Sequence, residues 1–211
     1  MTAASPGPTA TPPRLRLVAV GTLGAARASL ERHASFGEAE WAGVAALLRP
    51  ARLRRGQVFS APGQEPGRVG FVASGLLRLY HLGADGAEFT KAFFGPGEWV
   101  ASGPDPALPA AVGLEALEDT RLLVADAAAV AAAVRACHPL AVAWCGLLTQ
   151  HMARKQRREV ELATLPGLSR YARFLTEHRE LAARVSKRHV ASYLGLTPTQ
   201  LSRLRRRLGF P

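Results

Sequence analysis

The last part of the chain leaves least freedom. Residues 185–208 read VSKRHVASYLGLTPTQLSRLRRRL, and there each local rule agrees with the next. Ser186 is a good N-cap, with Val185 and Val190 placed around it as a hydrophobic staple. The helix it starts buries Val190, Ala191 and Leu194, and Gly195 supplies the left-handed residue that stops it. Thr197 caps a second helix, Pro198 takes its first position, and Thr197 with Gln200 has capping-box spacing. Leu196 and Leu201 repeat the staple. Two short helices, a tight turn and a small residue (Ala191) where they cross make a helix-turn-helix.

Read at about 100° per residue, the second helix has two unlike faces. Leu201, Leu204 and Leu208 anchor one; Thr199, Ser202, Arg203 and Arg206 occupy the other, flanked by Gln200 and Arg207. Hydroxyls near the start and arginines further along suit a DNA major groove, where Arg203 can pair bidentately with guanine. Arg206 and Arg207 suit bases less well than phosphates, since half or more of such contacts go to the backbone. Lys187 and Arg188 open the first helix facing phosphates, Thr197 joins the set at the cap, and capping competes for Gln200. Charge agrees. The chain carries +11 at pH 7, and residues 151–211 hold +10 of it against +1 for residues 1–150. A nearly neutral body joined to a small basic module fits a sensing or scaffolding part attached to a nucleic-acid reader.

The rest of the chain has a different texture. Residues 1–13 are rich in Ala, Pro, Thr and Ser and cannot bury a core, so 1–29 is expected to be a disordered leader. Within it, Arg14, Arg16 and the apolar run 17–26 loosely imitate a secretory signal, which the neighbouring prolines and the internal glycines oppose. Residues 37–48 predict a short amphipathic helix with Trp41, Val44, Leu47 and Leu48 at helical spacing. From 51 to 124, short apolar runs at 58–59, 69–72, 76–81, 89–94, 99–100, 112–117 and 122–124 are cut by Pro-Gly, Ser-Gly and Asp-Gly breaks. That pattern predicts an antiparallel sandwich or barrel, with its clearest hairpin at 83–86.

After Asp126, which can cap an alanine-rich helix, His138-Pro139 opens a second helix expected to run to about Thr164. Its first half, LAVAWCGLL, is apolar around most of its circumference, so one packed face cannot bury it. A second copy of the same helix is the economical partner, with Ala141, Trp144 or Cys145, Leu148 and Met152 as the seam; an ordinary core helix of a single chain is the alternative. Leu165-Pro166-Gly167 breaks the chain, and a helix over 168–177 is expected to turn Tyr171, Phe174 and Leu175 inward, with a loop after it. The organisation read from these breaks is a leader (1–29), a β-roll effector-like domain (30–137), a dimerisation helix (138–164) and a helix-turn-helix domain (165–211), an α+β fold.

At this point the chain resembles the Crp/Fnr family of bacterial transcription regulators over about residues 30–211. The resemblance rests on RVSKRHVASYLGLTPTQLSRLRRRL and on GRVGFVASGLLRLYHLGADGAEFTKAFFGPGEWV. It implies a β-roll related to cyclic-nucleotide-binding modules, with Gly95–Trp99 at its characteristic turn, and a homodimer presenting two reading heads to a pseudo-palindromic operator. Arg203 matches the family's base-reading arginine and Ser202 a serine of the Fnr branch; Thr199 replaces a frequent glutamate, so the base preference stays open. RNA polymerase and a small-molecule effector are further partners the family implies, in the cytoplasm.

The departures bear on mechanism. No arginine lies between Trp99 and Arg121, where cyclic-nucleotide binders of the family hold the phosphate. A cyclic phosphate there would sit in an apolar pocket without a charged partner. With two cysteines in all, an iron–sulfur centre is excluded, and His33, His81, His138, His151, His178 and His189 show no metal-ligand spacing, so no cofactor or metal is expected. The chain ends at Pro211 without an evident wing hairpin. The reading is a non-enzymatic, dimeric, DNA-binding regulator whose β-domain senses an unidentified effector or only scaffolds the dimer, its effector pocket unassigned. Three alternatives stand beside it. One is a cyclic-nucleotide-responsive regulator with a non-standard pocket. Another is a β-roll metalloenzyme, opposed by strands that hold only His81. The last is an RNA or membrane-surface adaptor that uses the basic end without sequence preference.

Overall fold

The computed structural model describes residues 13–208 except 65, 66, 102, 104–109 and 111, with side chains from residue 21 onward. Two helices come first, α1 (Pro13–Glu31) and α2 (Glu38–Leu47). Eight strands follow: β1 (Arg49–Leu53), β2 (Val58–Ser60), β3 (Arg68–Ser74), β4 (Leu77–Leu82), β5 (Glu88–Phe94), β6 (Trp99–Ala101), β7 (Gly113–Ala116) and β8 (Thr120–Asp126). Six helices complete the chain: α3 (Ala127–Ala136), α4 (His138–Thr164), α5 (Gly167–Glu177), α6 (Arg179–Arg184), α7 (Lys187–Tyr193) and α8 (Pro198–Arg207).

The strands form two antiparallel sheets, ordered β1-β8-β3-β6 and β2-β7-β4-β5. Alternation along the strands sorts the core into layers. Val72 and Leu122 of the first sheet meet Leu77, Phe94, Leu114 and Ala116 of the second between the sheets. Val69, Phe71, Trp99, Leu123 and Ala125 turn the other way, onto α1–α4. The expected hairpin joins β4 to β5: Gly83 donates to Ala87 O, Asp85 Oδ1 accepts from Ala87 N, and Gly86 sits at φ +78°.

Three expectations need correction. The leader expected to be disordered over 1–29 is helical from Pro13 onward, and residues 1–12 lie outside the described residues. Ala26 and Leu30 of α1 are buried in the first core, and Trp99 Nε1 donates to the buried Ser29 Oγ at 2.8 Å. Strand β1 was not expected, since RPARL has no apolar run; it is an edge strand paired only with β8, where Pro50 is tolerated. The loop expected after 177 contains α6, a short helix with no fully buried residue.

Helix α4 runs 27 residues, about 40 Å. Leu140, Ala143 and Leu147 pack it on the first core, and Gly146 lets His33 close on it: an added Cβ would come within 2.4 Å of the imidazole. No single described helix is long and apolar enough to cross a membrane.

Candidate nucleic-acid interface

The terminal helices form as their sequence dictates. Ser186 accepts from His189 N to cap α7, Gly195 adopts φ +63°, and Thr197 with Gln200 closes a reciprocal capping box on α8. Leu201 is 1% exposed and Leu204 half-buried, so α8 is seated through those two. Leu208 is 38% exposed and anchors less than its spacing suggested.

All nine residues expected to meet DNA are exposed: Lys187, Arg188, Thr197, Thr199, Gln200, Ser202, Arg203, Arg206 and Arg207. The structure divides them. Thr197 and Gln200 have their side chains engaged in the cap, while Thr199, Ser202, Arg203, Arg206 and Arg207 stand outward. None of Lys187, Arg188, Arg203, Arg206 and Arg207 forms an ion pair with a carboxylate among the described residues. Arg205 points inward instead and donates to the Tyr171 hydroxyl at 3.4 Å. The result is a capped helix that shows hydroxyls, then cations, with the positive charge uncompensated.

The module is docked on the outer face of the second sheet. Leu76 and Phe93 join Tyr171, Phe174, Val185, Val190, Ala191, Leu194 and Leu201 in one core cluster. Thr90 N donates to Ser192 Oγ at 2.8 Å, Ser192 Oγ donates to Glu88 O at 3.2 Å, and Arg184 pairs with Glu118 at 2.8 Å. Arg158 of α4 stacks on Tyr193, with its guanidinium carbon 3.9 Å from the ring centroid. Docking therefore uses the far end of α7 and leaves α8 outward. Sequence reasoning missed this joint because Ser192 and Tyr193 show no signal of their own until the sheet is placed against them.

Beside the joint lies a cavity of about 620 Å³, walled by the β4–β5 ladder, the second half of α4, and α5–α7. The effector pocket had no sequence assignment; this is the place where β-roll, long helix and reading module meet. The stretch after Trp99, on which the missing phosphate clamp was read, lies largely outside the described residues.

On the expected dimer seam, Cys145, Leu148 and Met152 are exposed, the last two at 45% and 52%, while Ala141 is half-buried and Trp144 packs partly on the first core.

Burial is the main cause that holds three histidines near the joint below their ordinary titration range. Arg154 adds to it at His151, Arg154 also at His178, and Arg78 with Arg188 at His189; Glu98, Glu177, Glu161, Glu115 and Glu88 oppose. A base depressed in the folded state contributes stability that is complete above its unfolded value, ~6.5, and is lost as pH falls through the folded one. The melting temperature is therefore expected to drop by several degrees between pH 7.5 and 5.5, and the drop should shrink in His151→Gln/His178→Gln. An unchanged slope in that variant would remove the histidines as its cause.

The described residues form a two-sheet β-roll joined by a long helix to a helix-turn-helix. Residues 50–137 match the cyclic nucleotide-binding domain family, and the chain as a whole has the Crp/Fnr fold. FixK2 from Bradyrhizobium japonicum superposes with a TM-score of 0.70 at 22% identity, covering 77% of this chain and 84% of that one. A Crp/Fnr-family regulator from Eubacterium rectale gives 0.67 at 18%, over 82% and 84%. CLP of Xanthomonas campestris, a c-di-GMP-responsive global regulator, gives 0.65 at 18%, over 82% and 92%. No curated protein matches the chain in sequence.

Proposed function

We propose that this chain is a sequence-specific DNA-binding transcription regulator that works as a homodimer in the cytoplasm. The observation that carries the reading is the outward face of α8, where Arg203, Arg206 and Arg207 stand exposed without carboxylate partners on a helix fixed by its own capping box. Arg203 reads a base; Lys187, Arg188, Arg206 and Arg207 hold phosphates; Thr199 and Ser202 add hydroxyl contacts. Residues 13–137 serve as the effector domain, 138–164 as the dimer helix and 165–211 as the reader. The two readers meet half-sites about one helical turn, ~34 Å, apart, and the bound dimer presents itself to RNA polymerase.

The cavity supplies the coupling. Arg158 lies between Phe89 of β5 and Tyr193 of α7, so a ligand that favours one setting of that contact biases how the reader is held.

Selection of duplexes from a random pool tests the reading, and a recovered palindrome is the expected outcome. Arg203→Ala should then cost roughly 1–3 kcal/mol of specific binding and relax one operator position. Equal weakening on every sequence would reassign Arg203 to a phosphate. A second reading, response to a cyclic nucleotide, is favoured by the family match over 50–137; equilibrium dialysis with cyclic AMP decides it.

A further inference from the structure

The walls of the 620 Å³ cavity carry more positive charge than they can compensate. Arg154 pairs with Glu98, and Lys155 with Glu159. Glu161 and Glu177 are both engaged by Arg173, at 2.9 and 3.5 Å. That leaves Lys91, Arg157 and Arg158 on the cavity wall with no carboxylate partner among the described residues. Two of these are not merely solvated surface: Lys91 and Arg158 are half-buried. Arg158 meets the rings of Phe89 and Tyr193, hydrogen-bonds the Tyr193 side chain and reaches one weak acceptor, Thr90 O at 3.4 Å. Burial pulls its guanidinium below the ordinary range, and Tyr193 and Glu161 only partly oppose it. Besides three histidines, His81, His151 and His178, the rest of the wall is mainly apolar, with Phe89, Phe94, Leu162 and the Tyr193 ring among its members.

We propose that this cavity binds an aromatic carboxylate, with its anionic end held by Lys91, Arg157 and Arg158 and its ring among Phe89, Phe94 and Leu162. The assignment rests on the regulator reading above and names the ligand class of that effector site. Its size falls in the 300–1,000 Å³ range of small-molecule pockets. A half-buried cation without a counter-ion is costly, and a bound carboxylate removes that cost. A guanidinium already stacked on Tyr193 presents its N–H edge in the plane that a carboxylate matches bidentately. The anchors come from β5 and the long helix, not from the turn after Trp99.

Isothermal titration of the full-length protein with benzoate, 2-naphthoate and indole-3-acetate, and with the corresponding neutral amides, tests the proposal. At least one acid should bind ten times or more tighter than its amide. In Lys91→Gln/Arg157→Gln the acid should lose most of its advantage over the amide, Arg158 keeping the remainder, with the amide unchanged. Equal affinity for acid and amide, acid binding indifferent to the double variant, or no heat from any acid up to millimolar concentration would each overturn it. Cyclic AMP displacing the acid at equal or lower concentration would replace the carboxylate by a phosphate. Duplex selection run in parallel separates the two claims. A protein that selects an operator and ignores the acids sinks the ligand assignment alone; one that binds acids and selects no duplex sinks the regulator reading.

Discussion

Leu148→Glu should convert the protein from dimer to monomer at micromolar concentration and lower its affinity for a palindromic duplex by about 10²–10³-fold, since a dimer gains that much by engaging two half-sites at once. Leu148 is 45% exposed on one chain, so the change costs little within a subunit. In a paired seam it would place two carboxylates, one from each copy, in a desolvated strip lined by Ala141, Cys145 and Met152. Val160, 60% exposed and about a third of a turn around α4 from Leu148, is the control. Val160→Glu should remain dimeric and bind DNA as before. Sedimentation velocity and fluorescence anisotropy read the two effects. A Leu148→Glu protein that still sediments as a dimer would move the self-contact away from this seam.

Legibility in the sequence followed the range of the forces at work. The helix-turn-helix was readable almost residue by residue, because caps, staple and stop are contacts between residues a few places apart. Ser186, Gly195, Thr197 and Gln200 all do what their spacing implies. Strands β2 to β8 were readable from apolar runs between turn residues, whereas β1 was hidden because a polar edge strand with Pro50 has no run to show. Helix α1 was hidden for another reason. Gly21 and Gly24 weaken its local preference, and what holds it is long-range burial of Ala26, Leu30 and Ser29 against the first sheet. The exposed arginines of α8 could be assigned from period alone. The joint at Ser192 and Tyr193, and the cavity with Arg158, needed β5 and α4 in place beside them, and no spacing in the chain encodes that meeting.

The second large effect concerns the floor of that joint. Arg78 is 3% exposed, and its guanidinium bridges Glu115 of β7 at 2.7 Å and Glu88 of β5 at 2.5 Å while lying over the Tyr80 ring, 4.5 Å from its centroid. Arg78→Ala would leave two carboxylates facing each other across β4 with the cation between them gone. Breaking a buried pair by removing one partner costs about 3–5 kcal/mol, and the partial exposure of both glutamates argues for the lower end. For a chain of this size that corresponds to a melting temperature lower by about 6–12 °C. Arg78→Met combined with Glu88→Gln and Glu115→Gln removes all three charges and should recover most of the loss, which separates unpaired charge from lost packing. The damage should also reach the reader, since Glu88 O accepts from Ser192 and Thr90 donates to it. Amides in α7 are therefore expected to exchange faster with solvent in Arg78→Ala, while those in α1 keep their protection. Uniform loss of protection across both would show that Arg78 supports the β-roll as a whole and not the docking of the helix-turn-helix upon it.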